Sequence, residues 1–221
     1  MKKITFILIF FISFSTLKAS EENFYSFALF SIGLSFLLDD EVKEFVNSNR
    51  GETLDDLTSF FNQFGSASSI FIPIASYGYG KLFENKVLEE TSKKAIFASI
   101  IAVSIVFPLK YITKRERPDK TDNYSFPSGH TALSFAIFGS YAKNIKGFKK
   151  YLLYSIPVMV GFSRIYKNHH YFSDVIAGGF IGYLSVILSE KFDKFSFERV
   201  KTIPFCDCSI KKTGLGIQYY F

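Results

Sequence analysis

The sequence predicts an all-α fold, a bundle of about six core helices embedded in or associated with a membrane. Three observations predict it. Apolar segments recur along the chain, and most exceed ten residues without strict alternation, which favours helices over strands. Hydrophobic residues make up 48% of 221 and no Pro/Gly/Ser-rich linker divides them, so one domain can bury a substantial core. Twenty-eight Phe and thirteen Tyr with no Trp suit thick apolar helices packed on one another or on lipid; composition does not choose between these.

The first element is a leader over residues 1–19. Lys2 and Lys3 precede an apolar run from Ile4 to Phe14, then Ser15 to Ser20, the three parts of a bacterial export signal. Ala19 is the expected cleavage position, although Leu17 at the −3 place is not ideal; an uncleaved anchor meets the same pattern.

The core helices follow at about Phe24 to Leu38, Ala67 to Phe83, Ala95 to Ile112, Thr131 to Ala142, Tyr151 to Phe162 and Asp174 to Leu188. Between the first two, Asp39 to Asn62 reads as short amphipathic helices, with Thr53 as a cap ahead of Leu54, Leu57, Phe60 and Phe61. A bilayer span needs about 20 apolar residues and a buried core helix about 10 to 14. These runs fall between, and Ala95 to Leu109 is the best spanning candidate.

The basic loop Lys143 to Lys150 places its end of the bundle in the cytoplasm if its neighbours span. The polar clusters at the other end then lie outside. Crossing parity disagrees if the leader is cleaved and all three earlier segments span, and Phe24 to Leu38 is the segment to doubt.

Residues 20–192 form the expected domain and 193–221 a tail. In the tail, Leu215, Ile217, Tyr219 and Phe221 alternate with Gly216, Gln218 and Tyr220, as in the last strand of an outer-membrane barrel; nothing upstream supplies the other strands. Cys206 and Cys208, two residues apart, provide no disulfide framework; a strained bridge, a free pair and a weak metal site all fit them.

The formal charge of +6 falls to +3 when Lys2, Lys3 and Lys18 leave with a leader. That residue is too small to argue for nucleic acid, and the chain has no basic stripe or RNA-binding signature.

Three polar clusters interrupt the apolar pattern. Lys110 and Arg117 are seven residues apart, about two helical turns, and so share one face of a helix that Pro118 ends near Arg117; Lys114 shares that face. The planar fork of Arg matches phosphate oxygens in pairs, while Lys supplies a point charge. Taken alone, the cluster reads first as a basic helix end snorkelling to water.

In Pro127-Ser128-Gly129-His130, backbone N–H groups near Ser128 and Gly129 can face an anion at a helix N-terminus, and glycine permits close approach. His130, with an ordinary pKa of about 6.5, suits proton transfer to a leaving oxygen. Ser163-Arg164 leads to His170 and Asp174, four apart, where the carboxylate can fix one ring nitrogen and leave the other as a nucleophile. Ser173 is an expected cap for the last helix, and His169 a neighbour without a role.

At these residues the chain resembles the type 2 phosphatidic acid phosphatase superfamily, which shares its site with vanadium haloperoxidases and class A acid phosphatases. The pattern is Lys, six residues, Arg-Pro; Pro-Ser-Gly-His; and Ser-Arg, five residues, His, three residues, Asp. All three elements stand here, in order, between Lys110 and Asp174.

The resemblance implies that Lys110, Arg117 and Arg164 hold phosphate, with Ser128 and Gly129 adding donors. It further implies that His170 attacks phosphorus, Asp174 orients His170, and His130 protonates the leaving alcohol and later activates water. It implies no metal and no cofactor, because three fixed cations offset the transferring charge. The expected protein is a cell-envelope phosphatase acting on a lipid phosphate or pyrophosphate from the periplasmic side. The alternatives are a soluble periplasmic acid phosphatase, a vanadate-dependent haloperoxidase and an inactive envelope protein.

Overall fold

The computed structural model describes residues 21–207 and 212–219, with side chains over 24–191. The expected leader lies outside the described residues, as do Cys208 and the side chain of Cys206. Eight α-helices occur among the described residues: α1 (Glu21–Phe36), α2 (Asp39–Ser48), α3 (Glu52–Asn62), α4 (Phe71–Leu82), α5 (Lys86–Thr113), α6 (Gly129–Lys143), α7 (Phe148–Tyr166) and α8 (Phe172–Arg199). Each of the six apolar segments is a helix, and the amphipathic stretch supplies α2 and α3. Gly51, not Thr53, stands at the start of α3, so the threonine lies inside that helix.

The tail carries a hairpin, β1 (Val200–Asp207) and β2 (Lys212–Tyr219), paired antiparallel from Val200 opposite Tyr219 to Asp207 opposite Lys212. The alternating tail is therefore a strand, and the segment just before it is the partner that sequence inspection did not find.

Helix α6 is the centre of the bundle, buried along nearly its whole length. Its neighbours approach through small residues. Helix α5 presents Ala98, Ala102 and Val106 to Ala132 and Ala136 of α6, a three-to-four-residue spacing that makes one flat stripe. Helix α8 presents Gly178 and Gly182: a Cβ at Gly178 would stand 2.5 Å from the Ser128 carbonyl oxygen, and one at Gly182 would stand 2.4 Å from that of Ala132. Close approach of two backbones is what glycine permits, and it brings the first turns of α6 and α8 together. Helix α1 covers α8 through Phe24 and Phe27 against Phe180.

The outer face of α5 is apolar, with Phe97, Ile100, Val103 and Phe107 all exposed. Helix α5 and the Phe172–Lys191 part of α8 are long and apolar enough to cross a membrane. Only 28% of the apolar window is buried in α5, against 72% in α8. The first thus has the lipid-facing character that its sequence suggested, and the second also serves as core.

Candidate active site

The three polar clusters meet at one end of the bundle, but not as helix geometry alone suggested. Helix α5 stops at Thr113, where Lys114 turns left-handed (φ 45°) and its N–H caps the Lys110 carbonyl. Lys114 is exposed. Arg117 therefore belongs to an irregular loop and reaches the site from there, not from the helix face it was expected to share with Lys110. The loop is closed by Ser125 N–H donating to the Arg115 carbonyl (2.9 Å) and Arg117 N–H donating to that of Asp122 (3.0 Å).

Arg117 is held from both sides. Its Nε donates to Asp122 Oδ1 (2.7 Å) and its Nη1 to the His169 carbonyl (3.1 Å), leaving Nη1 3.4 Å from His170 Nε2. Lys110 Nζ donates to the Tyr124 carbonyl (2.5 Å) and lines a cavity of about 230 Å³ with Gly129, His130, Ala102, Val106 and Leu133. Arg164, 7% exposed, donates from Nη1 to Asn62 Oδ1 (2.5 Å), while its buried Nε has no partner.

Ser128 is fully buried at the cap of α6 and its Oγ accepts from the Thr131 hydroxyl (2.9 Å). Its N–H does not face an anion as expected, because it donates to the Asp174 carbonyl (2.9 Å). Thr131 N–H goes to Ser128 Oγ and Ala132 N–H to the Ser128 carbonyl, so the donors left for an anion at this helix start are the N–H groups of Gly129 and His130.

His170 lies in the turn before α8, not on the helix, and is 2% exposed. Its Nδ1 is 3.6 Å from Asp174 Oδ2, just beyond hydrogen-bond length, and has no partner in this state. Asp174 is fully buried and more firmly held elsewhere. Its Oδ2 accepts from Ser125 Oγ (2.5 Å) and Tyr171 N–H (2.8 Å), and its Oδ1 accepts from Arg115 Nη1 (2.7 Å). The Tyr171 contact is half of a capping box: a carboxylate in the first turn satisfies the N–H just ahead of the helix. Ser173 is thus not the cap. It sits inside the first turn, its N–H donating to Asp39 Oδ1 (2.8 Å) and its hydroxyl to Asp39 Oδ2 (2.7 Å).

Burial pushes His170 down to about 4, against the pull of the nearby carboxylate. Burial also pushes His130 down, to about 3, helped by the charges of Arg164, His170 and Arg117 around it. Both rings are therefore neutral at neutral pH. His169 Nδ1 pairs with Asp119 Oδ2 (2.8 Å) at the more exposed rim.

Lys110, Arg117, Ser128, Gly129, His130, Arg164, His170 and Asp174 all lie at this end of the bundle. Those that sequence reasoning missed are Arg115, Asp39, Ser125 and Asn62. Arg115 stood two residues from Arg117 and was readable as a fourth cation of the cluster; the others carried no signal, because their partners are remote in sequence.

A helical bundle that gathers cations, a helix N-terminus and two neutral histidines at one end defines a phosphate-handling class of protein. A family model for the PAP2 superfamily matches residues 93–196. Lipid A 1-phosphatase of Porphyromonas gingivalis is 27% identical over 68% of this chain and 34% of its own length. Phosphatidylglycerophosphatase B of Bacillus subtilis is 27% identical over 64% of this chain and 76% of its own. The crystal structure of Aquifex aeolicus LpxE superposes with a TM-score of 0.61 at 27% identity, covering 70% of this chain and 95% of that one. Residues 93–196 thus match the PAP2 superfamily, and the fold is similar to that of LpxE. It spans about a third of the length of the first of these relatives and about three quarters of the second.

Proposed function

We propose that the protein is a phosphatase that hydrolyses a lipid phosphate or pyrophosphate monoester through a phosphohistidine, its site facing the periplasm. The observation that carries this reading is the gathering of cations and imidazoles at one end of the bundle. Arg164 Nε is buried without a partner, and His170 Nε2 faces a guanidinium that can only donate. A phosphate dianion supplies an acceptor for the Arg164 Nε–H and the negative charge that this set of cations calls for.

Lys110, Arg117 and Arg164 hold the phosphoryl oxygens, with the Ser128 hydroxyl and Gly129 N–H as further donors. His170 Nε2 attacks phosphorus while the bond to the leaving oxygen breaks, and Asp174 accepts a hydrogen bond from Nδ1–H, offsetting the charge of the ring as it becomes cationic. His130 gives its proton to the leaving alcohol. Its pKa is depressed by burial and by the surrounding guanidiniums, so His130 takes up that proton from solvent as the substrate binds and the phosphate charge offsets those cations. Neutral again, His130 then takes a proton from water, which attacks phosphorus and releases His170 and inorganic phosphate.

A lipid substrate is favoured because the cavity that begins at Lys110 and His130 continues along apolar Ala102, Val106 and Leu133, beside the exposed apolar face of α5. The names of the two phosphatase relatives agree with it. The working unit is residues 20–192, behind a leader at 1–19 and ahead of the tail at 193–221. Purified protein in detergent is to be assayed for phosphate release from phosphatidate, isoprenyl diphosphate and lipid A. Activity lost in His170→Ala supports the reading, and equal inactivity of both proteins across the panel ends it.

A further inference from the structure

Arg115 and Asp39 do not line the cavity, yet they occupy the best-connected buried position beside it. The Arg115 guanidinium reaches three groups at once: Nη1 donates to Ser173 Oγ (2.6 Å) and Asp174 Oδ1 (2.7 Å), and Nη2 to Asp39 Oδ2 (2.7 Å). Its plane is held between two rings, with the Tyr171 centroid at 4.1 Å and that of Phe36 at 4.9 Å. The side chains of Arg115, Asp39 and Asp174 are 23%, 7% and 0% exposed, so the charges act on one another with little solvent screening. A lysine cannot replace this fork, since it offers one point charge where the site has two carboxylates and a hydroxyl.

We propose that Arg115, anchored by Asp39, is the positioning residue of this site: it fixes Asp174 and through it the ring of His170, keeping Nε2 turned toward phosphorus. The proposal rests on the phosphatase reading. Asp174 has one oxygen on Arg115 and the other shared by Ser125, Tyr171 N–H and the approach of His170 Nδ1. Without Arg115, the first oxygen is a buried charge with no donor, and the carboxylate rotates to find one. The second oxygen then leaves His170, and the imidazole loses the contact that selects its Nδ1–H form. Asp39 performs the same service one step out. It caps the Ser173 N–H and holds the far side of the guanidinium, tying α2 at the start of the bundle to the first turn of α8.

The test compares wild type with Arg115→Gln, Arg115→Lys and Asp39→Asn in detergent, measuring kcat and KM on a lipid phosphate, the single-turnover yield of phosphorylated His170, and melting midpoint. Supporting positioning, Arg115→Gln lowers kcat by about 10- to 100-fold with KM nearly unchanged, as loss of a group that orients a reacting ligand does. Arg115→Lys recovers part of that loss, and Asp39→Asn, which keeps the cap acceptor but not the charge, loses less than Arg115→Gln. Nitrogen NMR shifts of labelled histidine report a single Nδ1–H form of His170 in wild type and a mixture in Arg115→Gln.

Folded variants that keep wild-type kcat, or that shift kcat and KM together with an unchanged histidine spectrum, overturn it. If Arg115→Gln does not fold, Arg115→Lys and Asp39→Asn decide by the same readouts. A wild-type protein that releases no phosphate overturns the phosphatase reading, and this proposal with it.

Discussion

Arg117 Nη1 stands 3.4 Å from His170 Nε2, and because a guanidinium only donates, that nitrogen presents its lone pair and the proton resides on Nδ1, the side facing Asp174. On the proposed mechanism, the guanidinium that would hold the phosphoryl group works together with the Asp174 carboxylate to favour that tautomer.

On the proposed mechanism, removing the His170 ring removes the nucleophile. His170→Ala is expected to lower kcat by on the order of 10⁴-fold or more, as loss of a nucleophile does elsewhere. Arg117→Lys keeps a charge but loses the fork, and about a 10- to 100-fold drop in kcat/KM is expected. Both are checked by phosphate release, with circular dichroism as the control for folding.

Acid should weaken the folded state before it unfolds ordinary carboxylate pairs. Folding depresses His170 to about 4 and His130 to about 3, so between pH 6.5 and about 4 the unfolded chain binds more protons than the native one. The stability these rings confer is complete above about 6.5 and drains as pH falls, by at most about 1.4 kcal/mol per pH unit for each ring. Melting midpoints between pH 7.5 and 4.5 measure the slope. Vanadate or phosphate should raise the midpoint, and His130→Gln should flatten the curve.

Among the described residues, Asn62 is the one hydrogen-bond partner of the Arg164 guanidinium. Asn62→Ala frees the guanidinium to swing out of the gap, and loss of one hydrogen bond to a charged group is worth about 10-fold in affinity. The expected result is a raised KM, or weaker vanadate inhibition, with kcat changed less.

The α6–α8 contact offers a control remote from the chemistry. An added methyl at Gly182 meets Ala132 O and Phe135 Cβ at 2.4 and 2.5 Å, and neither is the free end of a flexible chain. Gly182→Ala should cost about 1–3 kcal/mol and lower the melting midpoint. Gly178→Ala, whose methyl meets Ser128 O, should lower kcat as well, because the displaced backbone carries the cap of α6.

The apolar outer face of α5 predicts retention in membranes through a carbonate wash. Release into the wash would instead fit a soluble phosphatase with the same site.

By itself the sequence determined the helical class, the order and approximate limits of six core helices, and eight residues that reach one region. Those were legible because helix periodicity and motif spacing are local properties, set by residues a few places apart. Only the tertiary structure decided how the site is held. Arg115 finds Asp39 across 76 positions, Asn62 finds Arg164 across 102, and Asp39 caps Ser173 across 134. It also replaced an expected helix with a loop at Arg117, since a chain that turns left-handed at Lys114 can bring Arg117 back against His170. The physical reason is burial: Asp174, sealed from water, must take its donors from whatever segments the packing brings beside it, and spacing along the chain does not record which those are.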